Sequence, residues 1–591
     1  MSPLSQLRET LESRTGLGAS MHRAADVAMP GGARWRHVFG LALVALFVVE
    51  ALTGVAMMTV YSPGTQTAWA STYYLQHVLP WGGLVRAMHH FASHGLVVGV
   101  VLHLLQVVVA GGHRAPREVN WWLGLALGAM VLGFAMTGFP LAWDQRGYWV
   151  SHVETGIMGT LPVVGPLVQR LVLGGTQYGA LTLTRFFTLH VFVLPALLVA
   201  LLGAHVAIVR RHGVKAPDGA SGDGRWWPSQ AARDALVALA AVVAVTWAAR
   251  RYGVALDAPA DGQSQYPARP EWYFMPLSQL LHHFQGSRQI IGTAVIPAVL
   301  TGYLAALPWI DGPARKGTAR VVALAPLALF AAGAMFLGWE LVHHDRGDRE
   351  FAKATREAER QARRAVELAR MGVPPEGPLE MVRNDPAVRP AALFRQNCAT
   401  CHAVRGMSEQ RKGPRLDGFG SRGWAAAFVA WPDHPELMAT TEIHDMPPQR
   451  RVDDNDRRAV AEWLYAQGVE RGDPPADAAL VERGAPIIRE RCNACHLGSL
   501  TPSDVEGVVR DAPSLDGWGS REWIYEQVVN PQRMEQYWAR NHMPRFRDKL
   551  SEREIAMIVG YTRGLRTRPA PDTVRPPRPQ PPPESAAPAA P

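Results

Sequence analysis

"RAMHHFASHGLVVGVVLHLL" (86–105) and "RFFTLHVFVLPALLVALLGAHVAIVRR" (185–211) are the stretches on which the fold turns. Each is an apolar run long enough to cross a bilayer, which takes about 20 residues as a helix. Each also carries histidines. His89 and His103 are 14 residues apart, and His190 and His205 are 15 apart. Either interval is about four helical turns, so the members of a pair share one helix face, roughly 21–22 Å apart along the axis. A single membrane histidine is more often a packing residue. Two pairs at matched depths read instead as two clamps, each able to hold a haem iron between facing imidazoles. His90 and His94 are alternatives, but His90 points away from the face of His103, so both are taken as packing residues.

Seven apolar segments are predicted to span a membrane: 38–59, 86–110, 120–142, 184–209, 231–249, 290–309 and 320–342. The N-terminal arm carries Arg8, Arg14, Arg23, Arg34 and Arg36. Alternate loops carry Arg114 and Arg117, then Arg210, Arg211, Lys215 and Arg225, then Arg315, Lys316 and Arg320, whereas 61–85 has no Lys or Arg. Basic loops stay on the cytoplasmic side, which puts the N-terminus inside. Arg250 and Arg251 fit this pattern less well. The second and fourth spans then run in the same direction, so His89 pairs with His190 near the outer surface and His103 with His205 near the inner one. Gly40 and Gly54 in the first span, and Gly124 and Gly138 in the third, repeat the interval of 14. Glycine permits the close backbone approach that a wedged porphyrin needs, though it also marks ordinary helix packing.

The net charge of +9 comes largely from these loop arginines, which argues against nucleic acid as a partner. Beyond residue 342 the chain turns polar. Its four cysteines all lie in "CATCH" (398–402) and "CNACH" (492–496). C-x-x-C-H is the attachment pattern of c-type haem: Cys398, Cys401, Cys492 and Cys495 supply thioethers, and His402 and His496 ligate iron. A redox dithiol or a zinc site is the alternative. Such haem is attached outside the cytoplasm, where an odd number of spans delivers the C-terminus. Residues 1–36 lack the apolar core and cleavage site of a signal peptide, so the first span is expected to act as signal and anchor. Residues 343–371 read as a charged helical stalk continuing the last span, broken by "GVPPEGP". A duplicated unit follows: "GPRLDGFGSRGW" (413–424) matches "APSLDGWGSREW" (512–523), and each copy reaches a Met-Pro pair and then an amphipathic helix near 454–467 or 551–565. Distal iron ligands need a soft or nitrogen donor. Met446 and Met543 lie 44 and 47 residues after His402 and His496; Met438, His434, His444 and His542 compete. The tail from about 568 is proline-rich and reads as disordered.

One acid stands in apolar company: Glu271 in "ARPEWYFMP" (268–276). Burial disfavours the charged form of a carboxyl group, which suits a proton acceptor near neutral pH; a glutamate bonded into a tight turn is the plainer alternative.

The motifs "TGVAMMTVYSP" (53–63), "RAMHHFASHG" (86–95), "TGFPLAWDQRGYW" (137–149) and "LTRFFTLHVFVLP" (183–195) resemble cytochrome b of the bc1 and b6f quinol oxidoreductases. The interval of 15 in the fourth span is similar to the b6 branch, and 220–342, with "PEWYF", resembles subunit IV of b6f complexes, here fused. The part after 342 is similar only to small c-type cytochromes. The implied architecture is all-α: a seven-helix transmembrane bundle followed by two small helical class I-like cytochrome c domains. Its divisions are a cytoplasmic arm (1–36), a four-helix core for two b haems (37–210), a three-helix subunit IV-like part (211–342), a stalk and linker (343–385), cytochrome c domains at 386–472 and 473–568, and the tail (569–591). Two departures stand out. Val38 replaces the cysteine that tethers an extra haem in the b6 branch. Gln106 replaces an arginine that offsets haem propionates, a task expected of Arg210; Arg86 and Arg185 are also expected among the haem-binding residues.

The resemblance implies a quinol-oxidation pocket near the outer surface, between the 137–165 loop and the "PEWY" loop of Pro270, Glu271, Trp272 and Tyr273. Glu271 would take a quinol proton and Tyr273 position the ring. One electron would go to a Rieske iron–sulfur protein, a separate subunit because no cysteine remains here, and on to two covalent c haems; the other would cross two non-covalent b haems to a quinone, moving protons across the membrane. A cytochrome or other electron acceptor, a homodimeric complex and a bacterial inner membrane complete the expectation. The rival is a di-haem b anchor that only relays electrons to or from a periplasmic redox partner.

Overall fold

The chain was analysed as a computed structural model, which describes residues 10–570 except 11, 17–24, 216–222, 411, 433, 435–436, 438–445, 448, 450–451, 494, 497–511 and 533–540. Seven helices are long and apolar enough to cross a membrane: Phe39–Met58, Gly82–Ala110, Glu118–Ala142, Ala180–His212, Trp226–Tyr252, Ile291–Ile310 and Gly317–Gly347. They match the seven predicted segments to within a few residues. Large apolar side chains such as Leu52, Val299 and Leu329 stand exposed along them, the surface lipid would cover. The described strands are one short antiparallel pair, Ala28–Pro30 with Asp223–Arg225, so the fold is all-α as expected.

The chain divides into two compact units, 1–382 and 383–591. In the first, the first and second spans pack together, the third packs on the fourth, and the fifth leans on the first two. A buried carboxylate ties the last two spans to this core. Asp311 takes Arg114 at 2.7 Å, His113 at 3.2 Å and Arg320 at 3.3 Å, joining the turns after the second and sixth spans. Three partners offset the desolvation of one buried charge, which a single pair does poorly.

The charged run after the seventh span is not a straight stalk. Asp348 leaves the helical region (φ −84°, ψ 107°), and its carboxylate accepts from Glu350 N at 2.9 Å and Phe351 N at 3.0 Å. This N-cap starts a new helix, Arg349–Ala369. The helix buries Ala365, Leu368 and Ala369 against Trp69, Tyr73, Leu256 and Ala258 of the membrane unit. The cause is its apolar stripe, which a solvated stalk would leave in water.

In the second unit each repeat supplies a leading helix (Arg389–Asn397; Ala478–Ile487), a middle helix (Arg422–Ala430; Arg521–Val529) and a closing helix (Asp454–Gln467; Glu552–Gly564). The repeats, expected as separate domains, each keep their middle helix on their own closing helix but exchange their leading helices. The leading helix of the first packs on the closing helix of the second, with Phe394 on Tyr561 at 5.0 Å. The leading helix of the second packs on the closing helix of the first, so tightly that a Cβ on Gly484 would lie 2.3 Å from Ala459 O. Arg389 crosses to Glu554 at 2.8 Å, and Arg563 reaches from the second closing helix to Gly468 O at 2.9 Å. Because the two interfaces are equivalent, exchanging them preserves the kind of contact each helix makes.

Candidate functional site

The four membrane histidines meet in the expected pairs. The ring centroids of His89 and His190 are 6.2 Å apart, and those of His103 and His205 are 6.5 Å apart. Both pairs line a single cavity of about 1030 Å³ within the bundle. Gly40, Gly54, Gly124 and Gly138 line it too. A Cβ on Gly138 would come within 2.8 Å of the His190 ring, on Gly54 within 3.4 Å of His89, and on Gly124 within 3.6 Å of His205. Gly40 has no atom within 4 Å of that position. The small residues therefore shape the walls beside three of the imidazoles, as a porphyrin site requires.

Three of the four rings have a polar neighbour at Nδ1, which leaves Nε2 for a metal; His205 Nδ1 is buried with no hydrogen-bond partner among the described residues. His89 Nδ1 lies 2.8 Å from Glu50 Oε2 and 2.9 Å from Thr53 Oγ1. His190 Nδ1 lies 3.1 Å from Thr137 Oγ1. With Nδ1 protonated, His103 donates to Gln106 Oε1 at 3.2 Å. The departure at 106 thus serves the imidazole itself. Arg86 and Arg210 line the cavity, and Arg86 also donates to Ala255 O at 3.0 Å. Arg185 does not line it; its guanidinium is spent on Leu171 O.

The 268–276 loop reaches the same cavity. It is pinned by Arg269, whose guanidinium forks onto Asp345 at 2.9 and 2.7 Å. Glu271 is buried, 7% exposed, but its company is not simply apolar. Arg146, from the "WDQRGYW" stretch, stands 3.2 Å from one oxygen, and His94 Nε2 3.7 Å from the other. Trp272 Nε1 donates to His94 Nδ1 at 2.9 Å, which puts the proton of the neutral ring on Nε2, toward Glu271. One ligand atom each from His90, His94 and Glu271 falls within 4.8 Å of the others. The expectation that His90 and His94 merely pack is corrected: both belong to this acid's surroundings, because one helical turn sets them together on the side facing the loop. Tyr273 stacks edge-on to His94 at 5.7 Å, and burial, with Glu271 beside it, raises its phenol pKa. Pro270 and Trp272 border the acid and do not line the cavity.

Sequence reading missed three residues. Glu50, Arg146 and Glu154 come to the site from elements remote in the chain. Glu154, on the Gln145–Gly159 helix, has both oxygens buried with no hydrogen-bond partner. Burial pushes its carboxyl up to about 8. An acid on a short helix reads as a solvent-facing residue, so no local signal marks it.

In the second unit, His402 Nδ1 meets Pro414 O at 2.8 Å and His496 Nδ1 meets Pro513 O at 2.8 Å. Both contacts put the proton of the neutral ring on Nδ1 and leave Nε2 able to bind a metal. A Cβ on Gly413 would lie 2.8 Å from the His402 ring. Burial, with Cys401 nearby, pushes the Cys398 thiol up to about 12, which makes it a poor redox nucleophile. Among the described residues no zinc-like cluster forms at either motif. Met446 and Met543 are half-buried. Met438 and His444 lie outside the described residues; His434 meets Trp431 edge to face at 5.2 Å.

Facing imidazoles inside a membrane bundle, joined to two C-x-x-C-H sites, define an integral membrane haem protein of electron transport. Comparisons narrow the class. Residues 94–261 match the family described as cytochrome b(N-terminal)/b6/petB, and 263–349 match cytochrome b(C-terminal)/b6/petD. Residues 385–464 and 479–561 match cytochrome C oxidase, cbb3-type, subunit III. Cytochrome b6 of Tupiella akineta is 35% identical over 214 residues, 36% of this chain and 100% of that protein. Cytochrome b6 of Cyanidium caldarium is 38% identical over 181 residues, 31% of this chain and 84% of that protein. A solved chain titled "Hyperthermophilic respiratory Complex III" shares the fold, with a TM-score of 0.50 at 21% identity, covering 61% of this chain and 97% of that one. The chain belongs to the cytochrome b/b6 family and carries a cytochrome c region: it is a cytochrome b/c-type oxidoreductase subunit of the bc-type quinol oxidoreductases and works within a multi-subunit complex.

Proposed function

We propose that this chain oxidises a membrane quinol beside Glu271, delivering one electron to a separate Rieske iron–sulfur protein and thence to its own covalent c haems, and the other across the membrane to a quinone. The observation that carries the reading is the junction of parts in one cavity: both histidine pairs, Glu271 and Tyr273 line it together. An anchor that only relays electrons needs no buried acid at the mouth of its haem chamber. Haem, when bound at the histidine pairs and the C-x-x-C-H motifs, supplies reversible one-electron chemistry. The count proposed is two b-type groups at His89/His190 and His103/His205, and two c-type groups on Cys398/Cys401/His402 and Cys492/Cys495/His496, with Met446 and Met543 as distal ligands.

The protein's own residues handle the proton and the ring. Glu271 accepts a proton from the quinol hydroxyl. Arg146 and His94 flank its carboxylate, and the His94 Nε2–H faces it as a donor, held in that tautomer by Trp272. Tyr273 borders the ring site. Glu154, its carboxyl held protonated to about pH 8 by burial, adds a second acid close enough to Tyr273 to raise its pKa. The basic loops support a cytoplasmic N-terminus and a c region on the opposite, periplasmic side, where an electron acceptor docks; a bacterial inner membrane is the proposed location. The family's homodimeric form is proposed for the assembled complex.

The test is quinol-driven reduction of the c haems in purified complex. Glu271→Gln is expected to slow it by about 100-fold, the usual worth of a positioned proton acceptor, with haem spectra unchanged. Undiminished turnover in that variant would remove the proton role.

A further inference from the structure

We infer that each c-haem site is completed across the duplication: iron held by His402 takes Met543 as its distal ligand, and iron held by His496 takes Met446. The inference rests on reading both motifs as haem c sites, and it deepens that reading by reassigning the donors. Order along the chain suggests the opposite pairing, each methionine with the histidine of its own repeat.

The packing around each motif points to the crossed arrangement. Cys398, Ala399, Val404 and Leu416 of the first motif share a core with Leu393 and Phe394 of its leading helix, and with Ile558 and Leu565 from the end of the second repeat. Met543 packs in the adjoining core of Ile524, Val528, Phe546, Ile555 and Val559, which shares Phe419 and Leu550 with the first. Gln527 Nε2 lies 4.0 Å from its sulfur. At the second motif the roles reverse. Cys492 and Ile488 pack with Trp424, Val429, Leu437, Val460 and Leu464, all from the first repeat. The segment bearing Met446 is tied to that same core, where Gln449 N donates to Val429 O at 3.3 Å.

The crossover points are visible. "LDGFGS" (416–421) and "LDGWGS" (515–520) lead from each motif to its middle helix. Gly418, Gly420, Gly517 and Gly519 have φ of 75°, 80°, 67° and 77°, a left-handed backbone that favours glycine. A Cβ on Gly519 would stand 3.4 Å from Gly420 Cα, so the two segments pass in contact. Leu416 belongs to one core and Trp424 to the other; Leu515 and Ile524 make the reverse exchange.

The experiment uses the full chain and the near-red absorption band that methionine gives to oxidised haem. Cys398→Ala with Cys401→Ala leaves covalent haem at 492–496 alone. In that background Met446→Ala is expected to abolish the band and Met543→Ala to leave it. The reverse result would overturn the crossing and leave the haem reading intact. Absence of covalent haem or of the band in the unmutated chain would instead refute the haem reading beneath it. If the two-alanine background does not assemble, the Arg389–Glu554 pair decides. Arg389→Glu and Glu554→Arg should each lower the unfolding temperature of the haem c region, and the doubly reversed variant should lose less than the two changes summed, the Ser551 cap that Glu554 completes staying broken; additive losses would overturn the exchange.

Discussion

The membrane unit and the C-terminal unit each carry a pair of candidate haem sites, yet they differ in how sequence order maps onto contact. In the membrane, four histidines at intervals of 14 and 15 on two helices meet in the order that span direction dictates. A bilayer allows a helix only two directions, so spacing along the chain becomes depth. In the C-terminal unit the motifs are just as legible, but the partners are not. Two copies of one helix set present equivalent interfaces, and nothing in a residue pattern distinguishes closing on one's own repeat from closing on the other. Chemistry is local in both regions; pairing is legible only where geometry removes the alternatives.

Four perturbations would sharpen or break this contrast. The largest effect is expected from His190→Leu, which removes one arm of the outer clamp. The purified variant should keep its covalent haem and lose half of its non-covalent haem, as measured by pyridine haemochrome. Retention of all b-type haem would break the depth-pairing rule. Next comes Gly138→Val. Its branched side chain would enter the space beside His190, where even a Cβ comes within 2.8 Å, and should disturb the outer b haem in redox-titrated spectra while sparing the inner one.

In the C-terminal unit, Gly484→Val should destabilise by about 1–3 kcal/mol, the usual cost of overpacking, read as earlier thermal unfolding of the haem c region. A Cβ already lies 2.3 Å from Ala459 O. An unchanged melt would mean that the two helices do not meet across the repeats. The smallest effect concerns pH. Because the Glu154 carboxyl is raised to about 8 in the folded chain, the native state binds the proton that the unfolded chain releases near its ordinary value. Stability is then fully present below about pH 4 and declines as pH rises toward 8. Glu154→Gln should flatten that decline in thermal melts between those limits; a profile parallel to the parent chain would show that the acid is not buried as described.

The seven spans, both histidine pairs and the C-x-x-C-H motifs were legible because each is a short pattern with one physical meaning. Glu271 was legible as an acid out of place. Its setting was not: Arg146 and His94 reach it from elsewhere in the chain, and only the folded loop brings them together. Glu50 drew no reading from the sequence, although it stands 2.8 Å from His89 Nδ1. The helix 349–369 read as a free stalk because its charges dominate its composition, while the face that docks is a stripe of small apolar residues.

The central claim is that facing imidazoles at two depths of the bundle hold iron porphyrins, and haem stoichiometry tests it most directly. Acid–acetone extraction of the purified chain, followed by pyridine haemochrome analysis, separates non-covalent from covalent haem. Two extractable and two covalent groups per chain are expected. A chain that is folded and carries its covalent haem but yields no extractable haem would contradict the account.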